Sequence, residues 1–123
     1  MDAAYVFRVR FRLDAEAGVD TDPRTFETVV EVAADDPGEG EWLFFRDALW
    51  RGEVNDERYA RELAEGWLSV PVDSVSFREL RADEAYVEAL RAEIEADPTP
   101  FNADSARETL HKYLGSSIRV TDD

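Results

Sequence analysis

The sequence predicts an α+β fold: one domain over residues 1–123, with a mainly antiparallel sheet of four or five strands and about three helices. Three observations carry this. Two early stretches alternate apolar and polar residues with period two, the mark of strands with one buried face. Two later stretches repeat apolar residues at i, i+4 and i+8 or close variants, the mark of amphipathic helices. Strands come first and helices later, the order of an α+β chain and not of a βαβ repeat. The element order reads β-β-β-α-β-α-α, with or without a closing strand.

The first strand is Tyr5–Leu13, where Tyr5, Phe7, Val9, Phe11 and Leu13 alternate with Arg8, Arg10 and Arg12. A polar loop, DAEAGVDTDPRT, follows. Alternation resumes over Phe26–Ala33, and antiparallel pairing would set Arg12 opposite Glu27 and Arg8 opposite Glu31. Such cross-strand charge pairs contribute a few tenths of a kcal/mol each, about 0.2–1. Pro37, Gly38 and Gly40 punctuate a turn. The run EWLFFRDALW reads as a third strand, too apolar around Leu43–Phe45 to be exposed, and ended by Gly52. Asn55 is positioned to cap a helix through Trp67, with Tyr59, Leu63 and Trp67 on one face. Val72–Leu80 reads as a strand after Pro71, and Asp83 caps a helix to about Ala96. Phe101 and Asn102 read as a hydrophobic staple and N-cap for a last helix that ends at Gly115. Ser117–Val120 is the optional closing strand, and residues 121–123 are expected to fray.

A chain of 123 residues can bury roughly two thirds of its unfolded surface without staples. Its charge is extreme: 29 acidic residues against 14 basic ones give −15, and Lys112 is the lone lysine beside 13 arginines. That excess repels itself in dilute buffer but is tolerated where molar salt shortens the Debye length to about 3 Å. Acidic excess, arginine over lysine, and alanine and valine in place of isoleucine point to a haloarchaeal cytosolic protein. An acidic actinobacterial protein would share part of this signature. With no cysteine, disulfides, thiolate catalysis and cysteine metal sites are excluded. No apolar run approaches the roughly 18 residues of a membrane span. MDAAYVFRVR lacks the charged and apolar regions of a signal peptide, so a cytoplasmic location is expected.

Known chemistries find few anchors. His111 and Ser105 are six apart on one helix and do not face each other, so no Ser–His pair forms. Glu108-Thr109-Leu110-His111 has a Glu-x-x-His spacing, but a di-iron site needs two such motifs on a bundle. Asp20 and Asp22 share one loop, and Asp35, Asp36, Glu39 and Glu41 another, without the ligand order of a calcium loop. Asp35, Asp36 and Glu39 are the weak candidates for a divalent ion. A solvated loop loosely holding K⁺ or Na⁺ is the simpler account. No glycine-rich phosphate loop is present, and no cofactor is expected. Arg8, Arg10 and Arg12 could meet RNA, but the neighbouring aromatics point to the opposite face. Salt and overall charge also weaken any phosphate contact.

Leu49-Trp50-Arg51 is the remaining constellation. In an extended strand Leu49 and Trp50 point to opposite faces. Trp50 is then either a core residue with Arg51 paired to Glu53, Asp56 or Asp47, or half of an exposed aromatic–cation anchor. Tryptophan and arginine are enriched at interface hot spots. The tripeptide following an aromatic run, in an acidic, cysteine-free chain of this length, resembles the haloarchaeal LWR-salt protein family over the whole chain. The resemblance implies a small cytosolic protein of a halophile and carries over no catalytic or ligand-binding residue. The expected function is a non-enzymatic binding or regulatory role towards another protein. The contact surface is expected around Leu49, Trp50 and Arg51, with Arg8, Arg10 and Arg12 as a second candidate. A small carboxylate and divalent-metal enzyme, and RNA binding through the arginine strand, are the alternatives.

Overall fold

The computed structural model describes residues 1–13 and 24–121. It is a two-layer α+β fold. Strand β1 (Ala3–Leu13) lies inside a four-stranded sheet of order β2-β1-β5-β6, with β2 at Arg24–Ala33, β5 at Val72–Asp83 and β6 at Ile118–Thr121. β1 pairs antiparallel with β2 and β5, while β6 runs parallel to β5, so the sheet is mixed. The parallel pair follows from the intervening helices, which return the chain to the same end of the sheet.

Alternation in β1 sends Tyr5, Phe7 and Val9 into the core and leaves Arg8, Arg10 and Arg12 outside. The β1–β2 register differs from expectation by two residues: Arg10, not Arg12, stands opposite Glu27, and Val6, not Arg8, opposite Glu31. A slip of two keeps every side chain on its own face, so the burial pattern could not detect it. The polar loop expected over residues 14–25 lies, except for its last two residues, outside those described; β2 begins at Arg24.

The expected third strand is the main correction. After a turn at 41–43, Phe44–Ala48 forms helix α1, and only Leu49–Trp50 is extended, as β3. Phe45, Ala48 and Leu49 are all buried, a spacing of i, i+3 and i+4 that is helical. Trp42, Leu43 and Phe44, half-buried apolar side chains just before Phe45, extend the apolar run and so disguise that period. Phe45 stacks on Phe101 with ring centroids 5.7 Å apart.

Helix α2 (Glu57–Leu68) starts one residue later than expected. Asp56 Oδ1 accepts from the Tyr59 amide at 3.1 Å, whereas Asn55 ties back to α1 through the carbonyls of Asp47 and Ala48. Helix α3 (Glu84–Ala96) is capped by Asp83, as its sequence predicts. Helix α4 (Ala106–Leu114) is capped by Ser105, whose Oγ accepts from Glu108 N at 3.1 Å. Asn102, the expected cap, instead closes a short 3-10 turn at Thr99–Phe101 in a left-handed conformation, φ 51°. Thr121 completes β6, and residues 122–123 lie outside those described. Among the described residues no helix is long and apolar enough to cross a membrane.

Candidate functional site

The site is built at the tip of a two-residue hairpin. Leu49 pairs with Val54 and Trp50 with Glu53, so β3 and β4 (Glu53–Val54) are joined by Arg51-Gly52 alone. Both turn residues have positive φ, 54° at Arg51 and 80° at Gly52. That is the φ signature of a type I′ turn, whose twist matches the strands it joins. Glycine or asparagine ordinarily fills the first position. Arginine there costs on the order of 1–2 kcal/mol of left-handed strain.

What holds the turn is the end of α4. A helix leaves its last four carbonyls without intrahelical partners. Here Arg51 N donates to Lys112 O at 2.9 Å and Gly52 N to Tyr113 O at 3.0 Å. Gly115 N donates to His111 O at 2.9 Å and Ser117 N to Leu114 O at 3.0 Å, which completes the set. The backbones approach closely enough that a Cβ on Gly52 would lie 3.0 Å from Leu114 O and from Ser117 Oγ. Leu49 is wholly buried beneath the turn and anchors it to the core.

Trp50 points the other way and is 41 % exposed. Its ring meets Tyr113 edge-on, with centroids 5.7 Å apart. Two cations flank it: Arg51 Cζ lies 5.8 Å and Lys112 Nζ 5.6 Å from the ring centroid. Lys112 Nζ is also 5.6 Å from the Tyr113 ring and donates to the carbonyls of Phe101 and Asn102 at 2.9 and 3.3 Å. Both charges sit at the negative end of the α4 dipole, which favours them. Arg51 makes no ion pair among the described residues. None of the alternative pairings with Glu53, Asp56 or Asp47 forms, and Asp47 pairs instead with Arg46 at 3.0 Å. The lone lysine is thus part of the same patch as the tripeptide, a link absent from sequence reasoning. Trp42 is half-buried and Phe45 fully buried.

The other candidates separate from this patch. Arg8 and Arg10 both reach Glu27, at 3.1 and 3.6 Å, and Arg12 reaches Asp73 at 2.7 Å. Glu31 pairs with Arg81 and not with Arg8. Each arginine of the stripe is therefore paired in place. Asp35, Glu39 and Glu41 are exposed and Asp36 half-buried. Asp35 Oδ2 accepts from Glu41 N at 2.7 Å and closes its own loop. Among the described residues no three potential ligands gather as a metal site. Asp20 and Asp22 lie outside those residues. His111 is exposed, and Ser105 is engaged as a helix cap.

Fold and patch together define a two-layer α+β protein whose described residues carry an exposed cation–aromatic cluster on a helix-capping hairpin. The chain belongs to the LWR-salt protein family, whose model matches residues 1–123. No curated protein and no solved structure matches it.

Proposed function

We propose that this chain is a non-enzymatic binding or regulatory domain of a salt-rich cytosol, and that the Trp50–Arg51 patch, widened by Lys112 and Tyr113, is its contact surface for another protein. The observation that carries the reading is the placement of Arg51. An arginine occupies a left-handed position that asparagine or glycine would fill with less strain, and its guanidinium lies over a half-exposed tryptophan. Backbone strain of this kind concentrates at functional positions. At molar salt, steering by charge is screened, so a partner would be held mainly by apolar and stacking contacts, which an indole flanked by two cations offers. The net charge of −15, with arginine in place of lysine, supports the salt-rich setting.

The test is affinity capture from a haloarchaeal lysate kept at molar KCl, comparing wild type with the Trp50→Ala, Arg51→Ala double variant. Loss of a partner from a variant that stays folded is the expected result. Arg51→Asn separates contact from scaffold, since it relieves the turn while removing the guanidinium; it is expected to lose the partner while remaining at least as stable as wild type. Partners retained by both variants would return the patch to a purely structural role and send the search to the Arg8-Arg10-Arg12 face.

A further inference from the structure

A second site lies away from the tripeptide. Between the end of the β1–β2 pair, α1 and α2 there is a cavity of about 160 Å³. Four aromatic residues line it beside aliphatic ones from β2 and α2: Tyr5 from β1, Phe44 from α1, and Tyr59 and Trp67 from α2. Two carboxylates, Asp35 and Glu41, line it as well, and both are exposed. From these residues we propose that the cavity binds a methylated organic ammonium ion.

Size, wall and rim each contribute to that choice. An apolar cavity of about 150 Å³ accepts benzene, so this one has room for a group the size of tetramethylammonium. Aromatic faces attract cations, and rings gathered around a quaternary ammonium are the familiar use of that attraction. Tyr5 and Phe44 rings stand 4.8 Å apart and form one wall, while Tyr59, 48 % exposed, leaves the mouth accessible. Burial raises the Tyr5 hydroxyl well above its ordinary pKa, so that wall stays uncharged. The hydrogen bond from Glu41 N fixes the Asp35 carboxylate and holds the two acids in one loop. Carboxylates disfavour an anion and give no special advantage to a neutral guest. A small hydrated ion gains little from the rings. A cation sheathed in methyl groups uses both.

Such a head group could belong to a free small molecule or to a methylated lysine on another protein. The experiment is a two-dimensional amide NMR titration at fixed molar ionic strength, following the Trp67 indole and the α2 amides. The probes are tetramethylammonium, choline, a trimethyl-lysine peptide, and 3,3-dimethylbutan-1-ol, the uncharged isostere of choline. Saturable shifts at the cavity residues are expected with the cations, and binding at least several-fold weaker with the alcohol. Tyr59→Ala, at an exposed position, should weaken the cations about two- to tenfold and leave the rest of the spectrum in place; Glu41→Gln should also weaken them. Tighter binding of choline than of the peptide would assign a small-molecule source, and the reverse a protein one. No saturable shift, equal binding of the alcohol, or indifference to Tyr59→Ala would overturn the proposal. Neither result bears on the Trp50 patch, which shares no residue with this cavity.

Discussion

Replacing Gly52 with alanine should destabilise the protein more than its single methyl suggests. Gly52 sits at φ 80°, where a side chain costs about 1–2 kcal/mol. The new Cβ would stand 3.0 Å from Leu114 O and Ser117 Oγ, tighter than ordinary contact, so the turn must move. Movement weakens the bonds from Arg51 N and Gly52 N to the α4 carbonyls, each worth about 1 kcal/mol. Against this, alanine restricts the unfolded chain and returns about 0.4–1 kcal/mol. The balance is a loss of about 2–3 kcal/mol, a large share of the 5–15 kcal/mol typical of a domain, and a fall in Tm on the order of 10 °C. Denaturant unfolding at constant molar KCl measures the first quantity. Amide exchange at Arg51 and Gly52 tests the mechanism, because those protons should lose protection before the sheet does. A loss below about 1 kcal/mol, with both amides still protected, would refute the capping argument.

Gly66 is the opposite case: it lies in α2 with open space around it, so Gly66→Ala should stabilise by about 0.5–1 kcal/mol in the same unfolding assay. The Asp83 carboxylate accepts from the amides of Tyr86 and Asp2, which holds its pKa below the ordinary value of 3.8. A depressed pKa contributes stability above the unfolded value that disappears as pH falls through the folded one. Asp83→Ala should therefore lower the unfolding midpoint at neutral pH, and the gap from wild type should close as pH drops below 3.8; a constant gap down to strong acid would contradict this. Self-repulsion predicts that far-UV circular dichroism shows structure being lost as KCl falls from molar to about 0.01 M, where the Debye length grows to about 30 Å. Cooperative folding undiminished at low salt would count against it.

Much of the fold was legible where local chemistry sufficed. β1 declared itself by alternation, Asp83 by its place before an acidic first turn, and Gly115 by its place after the last buried leucine. Segment 41–50 is ambiguous in sequence because its continuous apolar run fits a buried strand as well as a helix. Ser105 and Glu108 have the spacing of a capping box, a signal that competes with the staple pattern at Phe101 and Asn102. Glu108 Oε2 in fact reaches back to Asp104 N at 3.2 Å. The site was legible only in part. Leu49, Trp50 and Arg51 stood out as residue types, but Arg-Gly is not a usual hairpin signal, and the turn is secured by carbonyls from Lys112 and Tyr113 far along the chain. No local pattern connects Trp50 with Lys112. The Tyr5–Phe44–Tyr59–Trp67 cavity likewise draws its walls from three separate elements.

The docking of the hairpin on α4 also sets an order of events during synthesis. Arg51 precedes its acceptor, Lys112, by 61 positions. A ribosome adding about 5–20 residues per second takes roughly 3–12 s to cover that distance. Throughout that interval the turn's two donors face water and β5 lacks the neighbour that β6 will supply. The hairpin is made early and secured late, so the nascent chain carries this strained turn unsupported until residues 112–121 have emerged to lock it.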